Sequence, residues 1–359
     1  MTATAKDWWL YQGAGTTTER QERLDMTPVP PWRDFSGTPD PAYQPPDCAG
    51  ESWSRTVERG EGYVPGDEET DIVNTALYLR RPLLVTGKPG VGKSTLAHSI
   101  ATDLALGPVL RWPITSRSVL RDGLYLYDAI GRLQEANLDQ MLRGTAPRTL
   151  ASATTPSAPA PAVSSIARYL RLGPLGTALL PQDRPRVLLI DEIDKSDIDL
   201  PGDLLTLFED GSFEIPELAR LASDTLQADI ATADAPDALV RITGGHVQCR
   251  TFPVVVLTSN GEREFPPAFL RRCVRLHLDP PGPDKLARII RQRLGVEVTE
   301  GSEPERLLME FLDRGTAGDL ATDQLLNAIQ LRLSRAWSAQ EDRQRFLDTV
   351  MQHLTEPSV

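Results

Sequence analysis

Eight consecutive residues, Gly87-Lys88-Pro89-Gly90-Val91-Gly92-Lys93-Ser94, have the types and spacing G-x-x-x-x-G-K-[ST] that hold a triphosphate. Glycines at 87, 90 and 92 permit backbone angles that a Cβ would forbid, so consecutive N–H groups can turn inward around phosphate oxygens. Lys93 is spaced to reach the β- and γ-phosphates and Ser94 to hold Mg²⁺. The helix that begins there, with Thr95 in its first turn, offers its positive end to the anion. The setting agrees, because the apolar run Pro82-Leu83-Leu84-Val85 precedes the loop and the helix-like stretch Thr95 to Ala101 follows it. Such a loop names the ligand and leaves the job open, since kinases, switches, motors and remodelling machines all use it.

A second constellation lies a hundred residues on. Arg186-Val187-Leu188-Leu189-Ile190 reads as a strand covered on both faces and ends in Asp191-Glu192. An aspartate in that position suits Mg²⁺, and a glutamate beside it suits general-base activation of water. Alone, acidic residues after a strand are a common helix N-cap; the upstream phosphate loop turns the reading toward phosphoryl chemistry. Another buried strand, Phe252 to Thr258, delivers Ser259-Asn260, and Asn260 is a candidate to orient the lytic water. Strands that alternate with helices and carry polar residues at their C-terminal ends predict an α/β fold, a doubly wound parallel sheet with the ligand at that edge.

The elements around these residues divide the chain of 359 residues into three parts, more than one ordinary core can occupy. Residues 1–60 are rich in proline and tryptophan, with Trp8, Trp9, Trp32 and Trp53 among them, and predict an extended arm. Four tryptophans argue that it docks on a surface, its own or a neighbour's, rather than serving as a floppy linker. Residues 61–282 form the nucleotide-binding α/β unit, entered through Tyr63-Val64 and a helix from Asp67 to Leu79 and interrupted by a low-complexity insertion at about 144–165. Within it, Leu239 to Cys249 reads as a hairpin turning at Gly244-Gly245. Residues 283–359 carry only helical signals, with helices expected over 285–294, 305–312, 323–335 and 341–354.

Composition narrows the classes further. No window approaches the length of apolar chain that spans a bilayer, and the N-terminus lacks a basic-then-apolar signal layout, so a cytoplasmic protein is expected. Three cysteines without C-x-x-C spacing argue against a disulfide framework or a zinc site. A net charge of −12 repels a phosphate backbone, which favours protein partners over nucleic acid.

Taken in order, Gly87 to Ser94 (Walker A), Val187 to Glu192 (Walker B) and Thr258-Ser259-Asn260 (sensor 1) resemble the motifs of an AAA+ ATPase. Within that superfamily the chain is similar to the MoxR-type, dynein-related group, over about residues 60–355. The resemblance implies an AAA+ core followed by a small all-α lid, with ATP rather than GTP as the substrate and Mg²⁺ as cofactor. It makes Phe265 to Cys273 an arginine-finger segment, with Arg272 the first choice and Arg271 the second, acting on a neighbouring subunit's nucleotide. A homo-oligomeric ring, usually a hexamer in this family, follows from that role. Tyr63-Val64 falls where related chains contact adenine. Asp122 to Tyr127 falls where related chains carry a loop facing the ring's channel, although tyrosines packed on a core strand account for it equally well. One departure stands out: the third lid helix starts Ala321-Thr322-Asp323, with no basic residue in the sensor 2 position, and Arg332 and Arg335 lie far along it.

These readings lead to an Mg²⁺-dependent ATPase that remodels a protein partner, which the resemblance implies is often a von Willebrand A-domain protein. A nucleotide-controlled assembly switch is the alternative. A McrB-like motor on DNA fits the acidic charge poorly, and a small-molecule kinase has no use for the lid and sensor motifs.

Overall fold

A computed structural model describes residues 6–13, 15, 18–145, 166–221, 227–235, 237–315, 320–334 and 343–351. Among them are eleven strands. They are β1 (Leu83–Gly87), β2 (Leu110–Pro113), β3 (Tyr125–Tyr127), β4 (Leu170–Leu172), β5 (Val187–Asp191) and β6 (Ser212–Glu214). After these come β7 (Gln227–Ala231), β8 (Leu239–Thr243), β9 (His246–Gln248), β10 (Val254–Ser259) and β11 (Val274–Leu278).

Five strands make a wholly parallel sheet in the order β11-β1-β10-β5-β2. Its apolar runs are buried on both faces, as parallel strands require. Leu83, Val85, Val187, Leu189 and Val256 point to one side. There they meet Leu96, Ala97 and Ile100 of the helix Lys93–Asp103 and Val73 and Leu77 of the helix Asp67–Leu79. Leu84, Leu188, Ile190, Val255 and Leu257 point to the other, toward Leu204 and Phe208 of the helix Leu200–Asp210. Helices on both faces are the α/β architecture that the alternation of strands and helices predicts.

The second sheet, ordered β3-β4-β7-β8-β9-β6, is mostly antiparallel and closes over that second face through Ile230, Val240, Ile242 and Val247. The expected hairpin is its β8–β9 unit: Thr243 pairs with His246, and Gly244 and Gly245 take φ of 62° and 75°, the mirror-image turn a two-residue loop needs. Tyr125 is buried on β3 and Leu126 exposed, so this segment is a core strand with one outward face.

The N-terminal segment departs from the extended strap expected of it. The helices Thr18–Met26 and Gly50–Gly60 form because the prolines lie between them rather than inside them. It docks on its own chain. Leu10 and Tyr11 are fully buried, and both of their backbone N–H groups donate to Asn74 Oδ1 (2.7 and 2.9 Å), whose Nδ2 returns a bond to the Tyr11 carbonyl. Trp9 Nε1 donates to Asp71, and Arg20 forms a buried ion pair with Asp103 at 2.7 Å. Trp32 stays 59% exposed, so docking does not employ every tryptophan.

At the C-terminal end, helices Pro283–Leu294, Glu303–Gly315, Thr322–Leu333 and Arg343–Val350 share a separate core built on Leu286, Ile290, Leu307, Leu325 and Phe346. At the start of the second, Ser302 Oγ accepts the Glu305 N–H and caps the helix. The low-complexity stretch lies outside the described residues from position 146 onward, as does Arg335. No helix among the described residues is long and apolar enough to cross a membrane.

Candidate functional site

The site is assembled where β1, β5 and β10 end side by side. Residues 87 to 94 connect β1 to the helix Lys93–Asp103, and the approach is close: a Cβ on Gly90 would sit 2.4 Å from Ala321 Cβ, and one on Gly92 would touch the Tyr63 ring. Both glycines have positive φ, 78° and 98°. Lys93 is folded back, its ammonium donating to the carbonyls of Gly87 (2.7 Å) and Lys88 (2.8 Å). Burial lowers its pKa from the ordinary 10.5, opposed by the negative charges of Asp194, Asp191 and Glu192.

Asp191 is the centre of the polar network. Its Oδ1 accepts from Ser94 Oγ (2.6 Å) and from Thr258 Oγ1 (2.8 Å). Its Oδ2 accepts from Arg111 Nη2 (2.7 Å) and Nε (3.2 Å). Burial pushes this carboxyl up, but the hydrogen bonds from Ser94, Arg111 and Thr258 and the charge on Arg111 outweigh it, leaving the pKa below the ordinary 3.8. Ser94 and Asp191 together are a pair of hard oxygen donors, the chemistry Mg²⁺ takes.

Glu192 follows with φ 62° and ψ 49°, a left-handed conformation that costs a non-glycine residue about 1–2 kcal/mol. It is anchored by its N–H, which donates to Thr258 Oγ1 at 2.9 Å. Such strain gathers at functional sites. The Glu192 carboxylate is 45% exposed and pairs with Lys195 at 2.9 Å. Asn260 arrives at the tip of β10, the neighbour of β5. Its N–H and that of Glu262 both donate to Asp194 Oδ2, at 2.8 and 3.2 Å.

The structure therefore brings Lys93, Ser94, Asp191, Glu192 and Asn260 to one edge. Tyr63 joins them: it is buried, its hydroxyl donates to Glu69 Oε2, its ring lies beside Gly92, and Lys285 stands over it at 5.5 Å. Val64 is buried next to it, and Thr95 is half-buried in the first helical turn. Arg271 and Arg272 are elsewhere. They precede β11, which runs parallel to β1, so they sit at the opposite end of the strands, about 16 Å of five-residue strand away. Arg272 is engaged with Glu209 there. The start of the helix Thr322–Leu333 faces Gly90 of the 87–94 loop through Ala321, while Arg332 lies a further ten residues along, about 15 Å, packed over Phe346.

Two residues of this network carry no motif of their own: Arg111 is a polar position within a short strand, and Asp194 is a third acid just beyond Asp191-Glu192. Thr258 is legible as the first residue of Thr258-Ser259-Asn260, but its role as the joint between Asp191 and Glu192 is not.

Compared with known proteins, the chain matches no protein-family model and no curated protein.

Proposed function

We propose that this protein is an Mg²⁺-dependent ATPase of the AAA+ kind, similar to the MoxR-type, dynein-related group. In this reading it works as a homo-oligomeric ring that couples hydrolysis to conformational work on a protein partner. The observation that carries the reading is the convergence of Lys93, Ser94, Asp191, Glu192 and Asn260 at the C-terminal edge of one parallel sheet.

Each side chain has a task there. Lys93 exchanges the Gly87 and Lys88 carbonyls for phosphate oxygens, which are the stronger, charge-assisted acceptors. Ser94 and Asp191 would hold Mg²⁺, which supplies charge neutralisation to the triphosphate when bound. Glu192, held in its turn by Thr258, accepts a proton from the lytic water after giving up Lys195, and Asn260 orients that water. Phosphoryl transfer depends mainly on positioning and charge, so these residues account for most of the expected rate.

Arg272 cannot reach the nucleotide of its own chain from the far end of β11, which supports its service to an adjacent subunit. The helical unit over 283–351, with Ala321 against Gly90, supports the lid reading, and the ion pair of Lys285 with Glu69 (2.6 Å) ties it to the α/β unit. A von Willebrand A-domain protein is the partner class this resemblance implies. The reading is tested by ATP turnover in Glu192→Gln, which keeps nucleotide binding and loses hydrolysis; undiminished hydrolysis would remove Glu192 from the mechanism.

A further inference from the structure

Beside the phosphate loop, but outside it, a cleft of about 230 Å³ opens between the helix Gly50–Gly60, the helix Lys93–Asp103 and the edge strand β2. Its cationic lining is unusual for a chain of net charge −12: Arg55, Arg59 and Arg111 all border it, beside a neutral His98. The negative groups nearby are already committed. Asp234, at the far wall, is buried and takes two bonds from Arg186 (2.7 and 3.1 Å) and one from the Tyr43 hydroxyl (2.8 Å). Among the described residues Glu51 pairs with Arg55, in an exposed pair one helical turn apart that solvent screens. Arg59 makes no ion pair among the described residues, and His98 is 5% exposed with Nδ1 lacking a hydrogen-bond partner.

Arg111 connects this cleft to the hydrolytic edge. Two of its nitrogens hold Asp191 Oδ2, its Nη1 makes no hydrogen bond among the described residues, its side chain is 47% exposed, and the residue lines the cleft. A planar guanidinium can serve one carboxylate with one edge and a second anion with the other. The space is below the size typical of pockets for drug-sized organic ligands and leaves ample room for a small tetrahedral oxyanion.

We propose that this cleft binds inorganic phosphate through Arg55, Arg59 and Arg111, with Arg111 shared between the bound anion and Asp191. The choice of phosphate rests on the ATPase reading, since that ion is the product released next to Asp191. Occupancy of the cleft then weakens the hold of Arg111 on Asp191, so the carboxylate expected to serve Mg²⁺ responds to product.

The test separates the cleft from the phosphate loop. Inorganic phosphate is titrated calorimetrically at constant ionic strength into the full chain carrying Lys93→Ala, which disables the loop. One saturable site is expected, weakened about ten- to hundredfold by adding Arg59→Ala, Arg55→Ala or Arg111→Ala, the range for losing a hydrogen bond to a charged group. Arg55 and Arg59 are exposed, and unchanged thermal unfolding of those variants shows that the fold is kept. Absence of saturable binding, or equal affinity in Arg59→Ala, overturns the site. Equal affinity in Arg111→Ala overturns the sharing with Asp191, and tighter binding of glycerol phosphate than of phosphate overturns the choice of the free ion. None of these titrations needs ATP or turnover, so a failed cleft leaves the ATPase reading standing, and an inactive enzyme that still binds phosphate leaves the cleft standing.

Discussion

Replacing Thr258 by valine removes one oxygen and breaks the joint between the two acidic residues of the site. The hydroxyl is buried, at 1% exposure, donates to Asp191 Oδ1 at 2.8 Å and accepts the Glu192 N–H at 2.9 Å. Valine has nearly the same shape, so no cavity forms, and the cost comes from the hydrogen bonds. Loss of the bond to a carboxylate costs about 2 kcal/mol, and leaving the amide without a partner costs about 1 kcal/mol more. Burying a methyl in place of the hydroxyl returns about 1 kcal/mol, for a net destabilisation of about 2 kcal/mol. Thr258→Ser keeps both bonds and loses only a methyl, about 1 kcal/mol. Urea unfolding of the three proteins at neutral pH measures the difference, read from the midpoints at constant slope. Because the same hydroxyl anchors Glu192 in its left-handed turn, Thr258→Val also lowers kcat at least tenfold, an effect of about 1.4 kcal/mol on the barrier, while Thr258→Ser stays close to wild type. A valine variant as stable and as active as the serine variant would refute the claim that this oxygen holds the site together.

Two further outcomes follow from the same geometry. Burial, then the charges of Arg59 and Arg111, push the His98 pKa down to about 4 from the ordinary 6.5, with Asp191 opposing. A base whose native pKa is depressed binds its proton more weakly in the folded state, so stability is full above about 6.5 and falls as the pH drops toward about 4. From pH about 7.5 to about 5 the loss attributable to His98 is about 2 kcal/mol, and His98→Gln removes that share of the slope in paired urea titrations. A variant with the wild-type slope would show that His98 titrates normally. In the second, mixing Lys93→Ala subunits with Arg272→Ala subunits restores part of the ATPase activity that each lacks alone, because an intact loop then meets an intact arginine from the neighbour; mixtures with no more activity than their components would contradict the intersubunit role.

How much of this could be read from the chain differs by element. The glycine-rich motif of residues 87–94 was legible because it consists of contiguous residues, and β5 and β10 because parallel strands buried on both faces leave unbroken apolar runs. The turn at Gly244-Gly245 was legible because few other residues take two successive positive φ values. Arg111 was not, since its partner Asp191 lies 80 positions away and only the pairing of β2 with β5 joins them. Thr258 was legible as the first residue of Thr258-Ser259-Asn260, but its bonds to Asp191 and Glu192 were not, because they depend on β10 lying beside β5. The helix Thr18–Met26 was masked by the prolines that follow it, and its place on the core depends on the buried pair of Arg20 with Asp103, which no local pattern announces.

If residues 87–94 with Asp191, Glu192 and Asn260 form a hydrolytic ATP site, Glu192 can be removed from catalysis without loss of nucleotide binding. The most direct measurement follows ATP affinity and phosphate release on one preparation of Glu192→Gln beside the wild type, with Mg²⁺ present. Affinity is expected within about threefold of wild type, since Glu192 contributes no ground-state contact, and turnover lower by about two orders of magnitude or more, the usual contribution of a general base. Wild-type turnover in Glu192→Gln, or a wild-type protein that neither binds nor hydrolyses ATP, would contradict the assignment of that site.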